Sequence, residues 1–306
     1  MKVRPLSSEL QSIAIKEINE VPGRIPQDIS HIRKWITQQP HLKARTDDQW
    51  LLNFLRGCKF SLDRTKEMID SFYTIRSATP EFFANRDPFL PETQRIINLG
   101  LFLPIDVQEG PTIILHRTAN VDPSEISLVN VIKVSLMISD ILLNEDDYCI
   151  INGQRFLFDF DTLNVNHILQ VTPSLCKKGF LCLKNVYPGK PKGFHLINMP
   201  PIFQSLLNLG KPIMGKKLSS RIIVYSKENI HSLYEDIPIS VLPVEYGGQG
   251  ETLEELTLKW KRKVESYRNW FLEETQYGCD ESKRILRSHI SDQFGAEGSF
   301  RNLAID

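Results

Sequence analysis

The sequence predicts an α/β fold: a mostly parallel sheet flanked by helices, preceded by an all-helical N-terminal domain. Three observations carry this. Short apolar runs bounded by turn residues, Gln154–Asp161, Phe194–Ile197 and Ile222–Tyr225, read as buried strands. Stretches of helical spacing separate them, which is the pattern of parallel strand–helix–strand units. The first 90 residues show helical spacing alone, and 306 residues suffice for one large domain or two small ones, each with a core.

In chain order, Ser7–Asn19 and Ile25–Gln38 carry apolar residues at helical spacing, with Val21-Pro22-Gly23 between them and Pro40 after the second. Thr46-Asp47-Asp48 opens a helix whose face is Trp50, Leu51, Phe54 and Leu55. Ser61 and Asp63 start another, with Met68, Ile69, Phe72 and Ile75 along a stripe. Asp87-Pro88 to Pro91 is the expected boundary. Leu101–Asp106 and Thr112–Arg117 read as two strands joined at Glu109-Gly110-Pro111, and Ser124–Asn144 as a helix with Val131, Val134, Ile138, Ile141 and Leu142 inward. Helical patterns follow at His167–Gln170, Pro173–Asn185 and Lys227–Tyr234. Thr252–Glu274 reads as one last helix, and the residues past Gly278 as a loosely held polar tail. The expected organisation is a helical domain at 1–90, an α/β domain at 91–275 and a polar tail at 276–306.

Composition narrows the function. Lysine plus arginine (37) equals aspartate plus glutamate (37), so the basic excess usual in nucleic-acid binders is missing and no nucleic-acid partner is expected. Five cysteines, with no paired spacing, favour reduced thiols over a disulfide framework. Seven scattered histidines show no metal-ligand spacing. The first twelve residues lack the apolar core of a signal peptide, and no apolar run approaches membrane-spanning length, so any membrane contact is expected to be peripheral.

The most informative stretch is Gly193–Tyr225. A strand ends at Asn198, whose side chain is placed to cap the next helix. Pro200-Pro201 suits a first helical turn, and Gly210 and Pro212 supply a stop. Between them Ile202, Phe203, Leu206, Leu207 and Leu209 leave only Gln204, Ser205 and Asn208 polar, and Lys216, Lys217 and Arg221 follow. The pattern fits either a crossover helix of a parallel sheet or a movable cover over an apolar cavity.

This stretch, together with GQRFLFDFD, NVYPGKPKGFHLIN and ISVLPVEYGG, resembles the lipid-binding CRAL-TRIO domain, and TDDQWLLNFLRGCKFSLDRTKEMI resembles that family's helical N-terminal region. The resemblance spans roughly residues 45–275 and is nearest to the tocopherol/retinaldehyde branch, given the basic pair Lys190 and Lys192. It implies an apolar lipid cavity under a mobile helix, floored by Phe156, Phe158, Phe194 and Leu196. Phe160 shares a strand face with Phe156 and Phe158. Phe203, Leu206 and Leu207 are expected to close the cavity, Ser135 and Ser139 to offer hydroxyls to a ligand head, and Cys182 and Tyr187 to line it. Ordinary core packing is the alternative for each. Ile202, Leu206, Leu209, Ile213 and Met214 are expected to touch the membrane. The resemblance also implies a cleft for a bisphosphorylated phosphatidylinositol, built from Lys59, Lys190, Lys192, Lys217 and Arg221. Phosphatidylinositol exchangers of the family carry a glutamate where Gly189 follows Tyr187-Pro188, which counts against phosphatidylinositol as the cavity ligand.

A lipid burying on the order of 400 Å² of apolar surface gains roughly 10 kcal/mol over water, and a bilayer offers a similar gain. Exchange between pocket and membrane is then nearly neutral, and release into water prohibitive. The expected activity is therefore carriage of a hydrophobic small lipid, tocopherol-, retinoid- or carotenoid-like, by a cytoplasmic monomer that associates reversibly with phosphoinositide-containing membranes, without catalysis, metal or cofactor. Two rivals differ in kind. One is a phosphoinositide-sensing adaptor or phosphatidylinositol exchanger without such cargo. The other is an aspartyl-phosphate phosphatase built on Asp159 and Asp161, against which Thr162 stands one position too early. His195, alternating away from Phe194 and Leu196, is expected to be a satisfied structural residue.

Overall fold

In a computed structural model of the chain, residues 3–107, 110–119, 122, 125–210 and 216–285 are described. The helices are α1 Ser8–Ile18, α2 Ile25–Thr37, α3 Asp48–Gly57, α4 Leu62–Ala78, α5 Pro80–Phe83, α6 Pro91–Asn98, α7 Leu128–Glu145, α8 Asp147–Asn152, α9 Val165–Leu169, α10 Pro173–Asn185, α11 Pro201–Gly210, α12 Lys216–Ser219, α13 Leu233–Asp236, α14 Leu253–Ser266 and α15 Arg268–Glu274. The strands are β1 Leu42–Lys43, β2 Phe102–Ile105, β3 Thr112–Arg117, β4 Gln154–Asp159, β5 Pro191–Ile197, β6 Ile222–Val224 and β7 Gly278–Cys279. The described residues fall into a helical unit drawn from 3–85, 173–188 and 270–285, and a sheet unit drawn from the stretches 86–172 and 189–269.

The helical unit closes around Trp50, Phe54 and Phe72, whose rings meet edge to face at 5.3–5.7 Å. The stripe on α3 puts Trp50, Leu51, Phe54 and Leu55 out of solvent together, each aromatic contributing about 2–3 kcal/mol by burial. Asp47, rather than Thr46, caps α3 by accepting from the Trp50 amide at 2.9 Å. Residues 278–284 are not loosely held. β7 pairs antiparallel with β1, Asp280 N–H donates to His41 C=O at 2.8 Å, and the half-buried Arg284 guanidinium bonds Asp70, Glu281 and Thr74. Polar composition misleads here because the segment is held by charge pairing and a backbone ladder instead of apolar burial.

The sheet unit holds five strands in the order β2-β3-β4-β5-β6, with β2 and β3 antiparallel and the rest parallel. Its register fixes the faces, because laterally paired residues project to the same side. One face carries the rows Phe102–His116–Phe158–Leu196–Val224 and Pro104–Ile114–Phe156–Phe194–Ile222. The other carries Leu103–Leu115–Leu157–His195–Ile223. β6 is an edge strand, so Ile223 stays 38% exposed where a buried strand was expected. α7 begins at Leu128, later than its apolar pattern suggests, and the expected last helix is two, broken at Tyr267, whose phenol bonds Asn144 and Glu145.

Candidate functional site

The back of the sheet is sealed at the centre of its middle strands. Leu115 and Leu157 have no accessible surface and His195 has 1%. On the opposite face the central strands are open in part: Phe156, Phe158, Phe160 and His116 are only half-buried, although Phe194 and Leu196 beside them are buried. The rings pave this face. Phe156 stacks on Phe194 at 5.2 Å, Phe158 on Phe160 at 6.2 Å, and His116 on Phe158 at 4.6 Å. Strand alternation thus brings the four phenylalanines, Leu196 and His116 into one apolar floor.

α11 leaves the carboxyl end of β5 through Asn198, which adopts a left-handed backbone at φ 54°. Its side chain does not cap α11. It donates instead to Asp159 Oδ1 at 2.8 Å. On α11, Phe203 and Leu207, one turn apart, are half-buried, whereas Ile202 is 55% exposed and Gln204, Ser205 and Asn208 are exposed. The side chains of Leu206 and Leu209, and Ile213 and Met214 altogether, lie outside the described residues. Leu169 (77%) and Val171 (44%) are further large apolar side chains exposed in this unit.

Ser135 and Ser139 both donate back to helix carbonyls, Val131 and Ser135 respectively, at 2.9 Å, so their hydroxyls have acceptor capacity alone left for a ligand. Ser135 lines a small pocket with Ile96, Phe102, Val134 and Trp260. Cys182 and Tyr187 belong to the helical unit. Cys182 is buried beside Thr79, and burial pushes its thiol up to about 12. The Tyr187 ring meets Phe72 edge-on at 6.2 Å.

The cations collect at the amino end of the parallel strands. Lys190 and Lys192 flank the start of β5, and Arg221 immediately precedes β6. Arg221 donates to Pro191 C=O at 2.7 Å, and Lys190 to Ile151 C=O at 3.1 Å; Lys192 is exposed. Gly153, at φ 87°, makes this edge possible, because a Cβ there would stand 2.5 Å from the Lys190 carbonyl oxygen. Lys59 belongs to the helical unit, where it is exposed after α3 at φ 55°. The Lys217 side chain lies outside the described residues.

Asp159 is a structural junction. Its oxygens accept from the Tyr246 hydroxyl at 2.6 Å, from Asn198 and from the Asp161 amide at 3.1 Å. Burial and this carboxylate push the Tyr246 phenol far above its ordinary range. Thr162 bonds Thr118 at 2.8 Å. His195 is half satisfied: one ring nitrogen meets the Tyr225 hydroxyl at 2.9 Å and the other has no partner. Among the described residues no helix is long and apolar enough to cross a membrane.

A mixed sheet with an aromatic floor, a crossover helix apolar on most sides and a basic strand edge defines a class, and comparison with known proteins gives it a family. Residues 103–248 match the CRAL/TRIO domain, and residues 21–93 match the domain described as Pinta-like, UBA domain. Residues 103–248 are thus a CRAL/TRIO domain, whose family comprises lipid-binding and lipid-transfer proteins. Among its relatives, the alpha-tocopherol transfer protein-like protein of Mus musculus is 26% identical, covering 93% of this chain and 89% of that protein. Clavesin-1 of Rattus norvegicus is 29% identical, covering 79% and 69%. The crystal structure of Sfh5 aligns at 13% identity over 89% of this chain and 99% of that one, with a TM-score of 0.49.

Proposed function

We propose that this chain carries a hydrophobic small lipid on the aromatic floor and moves it between membranes without chemical change. The observation that carries the reading is the asymmetry of the sheet. Its back is sealed at Leu115, Leu157 and His195, while Phe156, Phe158 and His116, on the same central strands, keep accessible surface on the front. Central-strand aromatics left part-open are costly unless something apolar covers them. A tocopherol-like ligand is the first choice, in keeping with the name of the Mus musculus relative. Retinoids and carotenoids have the same elongated apolar character.

α11 acts as the cover, with Phe203 and Leu207 toward the ligand and Ile202 toward the bilayer. The basic edge brings the protein to an anionic leaflet, where a bisphosphorylated phosphatidylinositol binds Lys190, Lys192 and Arg221. The chain works as a cytoplasmic monomer, reversibly associated with membranes. Asp159 serves the junction with Tyr246 and Asn198 rather than a covalent step.

The test is transfer of a fluorescent tocopherol analogue between phosphatidylcholine vesicles, with and without the bisphosphorylated lipid. The wild-type protein is expected to accelerate transfer, more so when that lipid is present. Each cation beside an anionic surface is worth about 1 kcal/mol, so Lys190→Ala, Lys192→Ala and Arg221→Ala combined should weaken binding to the anionic vesicles on the order of 100-fold. Unchanged vesicle binding and unchanged transfer in the triple variant would rule out the basic edge as the docking site.

A further inference from the structure

We propose that His116 is the polar anchor of the carried lipid, and that this lipid therefore bears a neutral hydrogen-bonding group, a hydroxyl or a carbonyl, at the end lying over β3. The inference rests on the reading that the aromatic floor holds the lipid, and it adds the ligand's polar chemistry and orientation.

Among the described residues His116 is the one imidazole on the floor, paired in register with Phe102 on one side and Phe158 on the other. Its ring lies edge-on to Phe102 at 4.4 Å, stacks on Phe158 at 4.6 Å, and tilts against Phe156 at 6.2 Å. Among the described residues no hydrogen bond is made to its ring. Two more deeply buried imidazoles of the chain each have a partner: His195 meets the Tyr225 hydroxyl and His41 the Asp70 carboxylate, both at 2.9 Å. His116 is half-buried, less deeply placed than His195 at 1% and His41 at 6%. A half-buried polar ring placed among phenylalanines, with no internal partner among the described residues, is arranged for a group that arrives from outside.

Its protonation state selects that group. Burial among apolar rings pushes the imidazole down to about 3, so it is neutral at physiological pH. A neutral imidazole offers one N–H donor and one lone pair. A hydroxyl satisfies either and a carbonyl takes the N–H, whereas a carboxylate or phosphate calls for the cation that burial disfavours. The anionic headgroup chemistry is thereby assigned to the basic edge, and the neutral polar chemistry to the floor.

The test uses retinol and its deoxy hydrocarbon analogue, with binding read by quenching of tryptophan fluorescence. The wild-type protein is expected to prefer retinol by about tenfold or more. His116→Phe, which keeps the stacked ring, should bind both equally; His116→Gln should recover part of the preference. In the wild-type protein, the ring nitrogens of His116 should shift in ¹⁵N NMR on loading with retinol and stay put with the hydrocarbon, a readout that does not depend on either variant folding. Binding of both ligands with no preference, a preference that survives in His116→Phe, or unmoved ring nitrogens would each overturn the anchor while leaving the lipid carrier intact. Binding of neither ligand would overturn both.

Discussion

Glu274→Ala is expected to destabilise the helical unit by about 3–5 kcal/mol, lowering its melting temperature on the order of 10 °C. The Glu274 side chain is 2% exposed and joins two arginines from distant segments: Arg45 ahead of α3, and Arg76 on α4 at 3.1 Å. Both guanidiniums are surrounded by rings as well. Arg45 lies over Trp270 and Tyr277 at 4.9 and 4.7 Å, and Arg76 over Phe72 and Phe83 at 4.4 and 4.5 Å. Removing the carboxylate takes away the buried anion that the two cations share, and that desolvation penalty sets the size of the effect. The neighbouring Glu273 provides the control. Its side chain is 48% exposed and stands 3.4 Å from Arg45, so Glu273→Ala should cost less than about 1 kcal/mol. Thermal unfolding followed by circular dichroism checks both; equal effects of the two variants would contradict the account of the helical unit.

Asp140→Ala should cost a comparable 3–5 kcal/mol in the sheet unit. Asp140, on α7, has no exposed side-chain surface, and it accepts from Arg86, whose side chain is 2% exposed. Arg86 is the residue at which the chain enters the sheet unit, so this pair fixes the entering segment to α7. Asp140→Asn keeps an acceptor and should lose less, because the cation retains a dipole but not its counter-charge. Hydrogen exchange supplies the local readout: amides of α7 and β2 should lose protection in Asp140→Ala before those of α3 and α4. Uniform loss across both units, or none, would contradict it.

These two centres were invisible in the sequence, because Arg45 and Arg76 meet Glu274 only after folding, and nothing in the local pattern of an arginine shows a partner some two hundred residues away. The same holds for Arg284 with Asp70. What periodicity does encode was legible: the α3 face, the bounds of α10, and the alternation that puts Phe156 and Phe158 beside Phe194 and Leu196. Turn residues placed α11 to within a residue at each end. Asn198 was misread because a cap and a left-handed junction call for the same residue type, and only the position of Asp159 distinguishes them. His116 was passed over as one scattered histidine. Its signal lay in the register of β3 against β4, which a single strand does not carry.

The most direct measurement is mass spectrometry of an organic extract of the protein purified under native conditions. The account predicts close to one equivalent of a single class of elongated apolar lipid bearing a hydroxyl or carbonyl, lost on addition of acceptor vesicles. A protein that is folded and binds anionic vesicles, yet releases no lipid on extraction and takes up none from donor vesicles, would contradict it and favour an adaptor that senses the membrane without cargo.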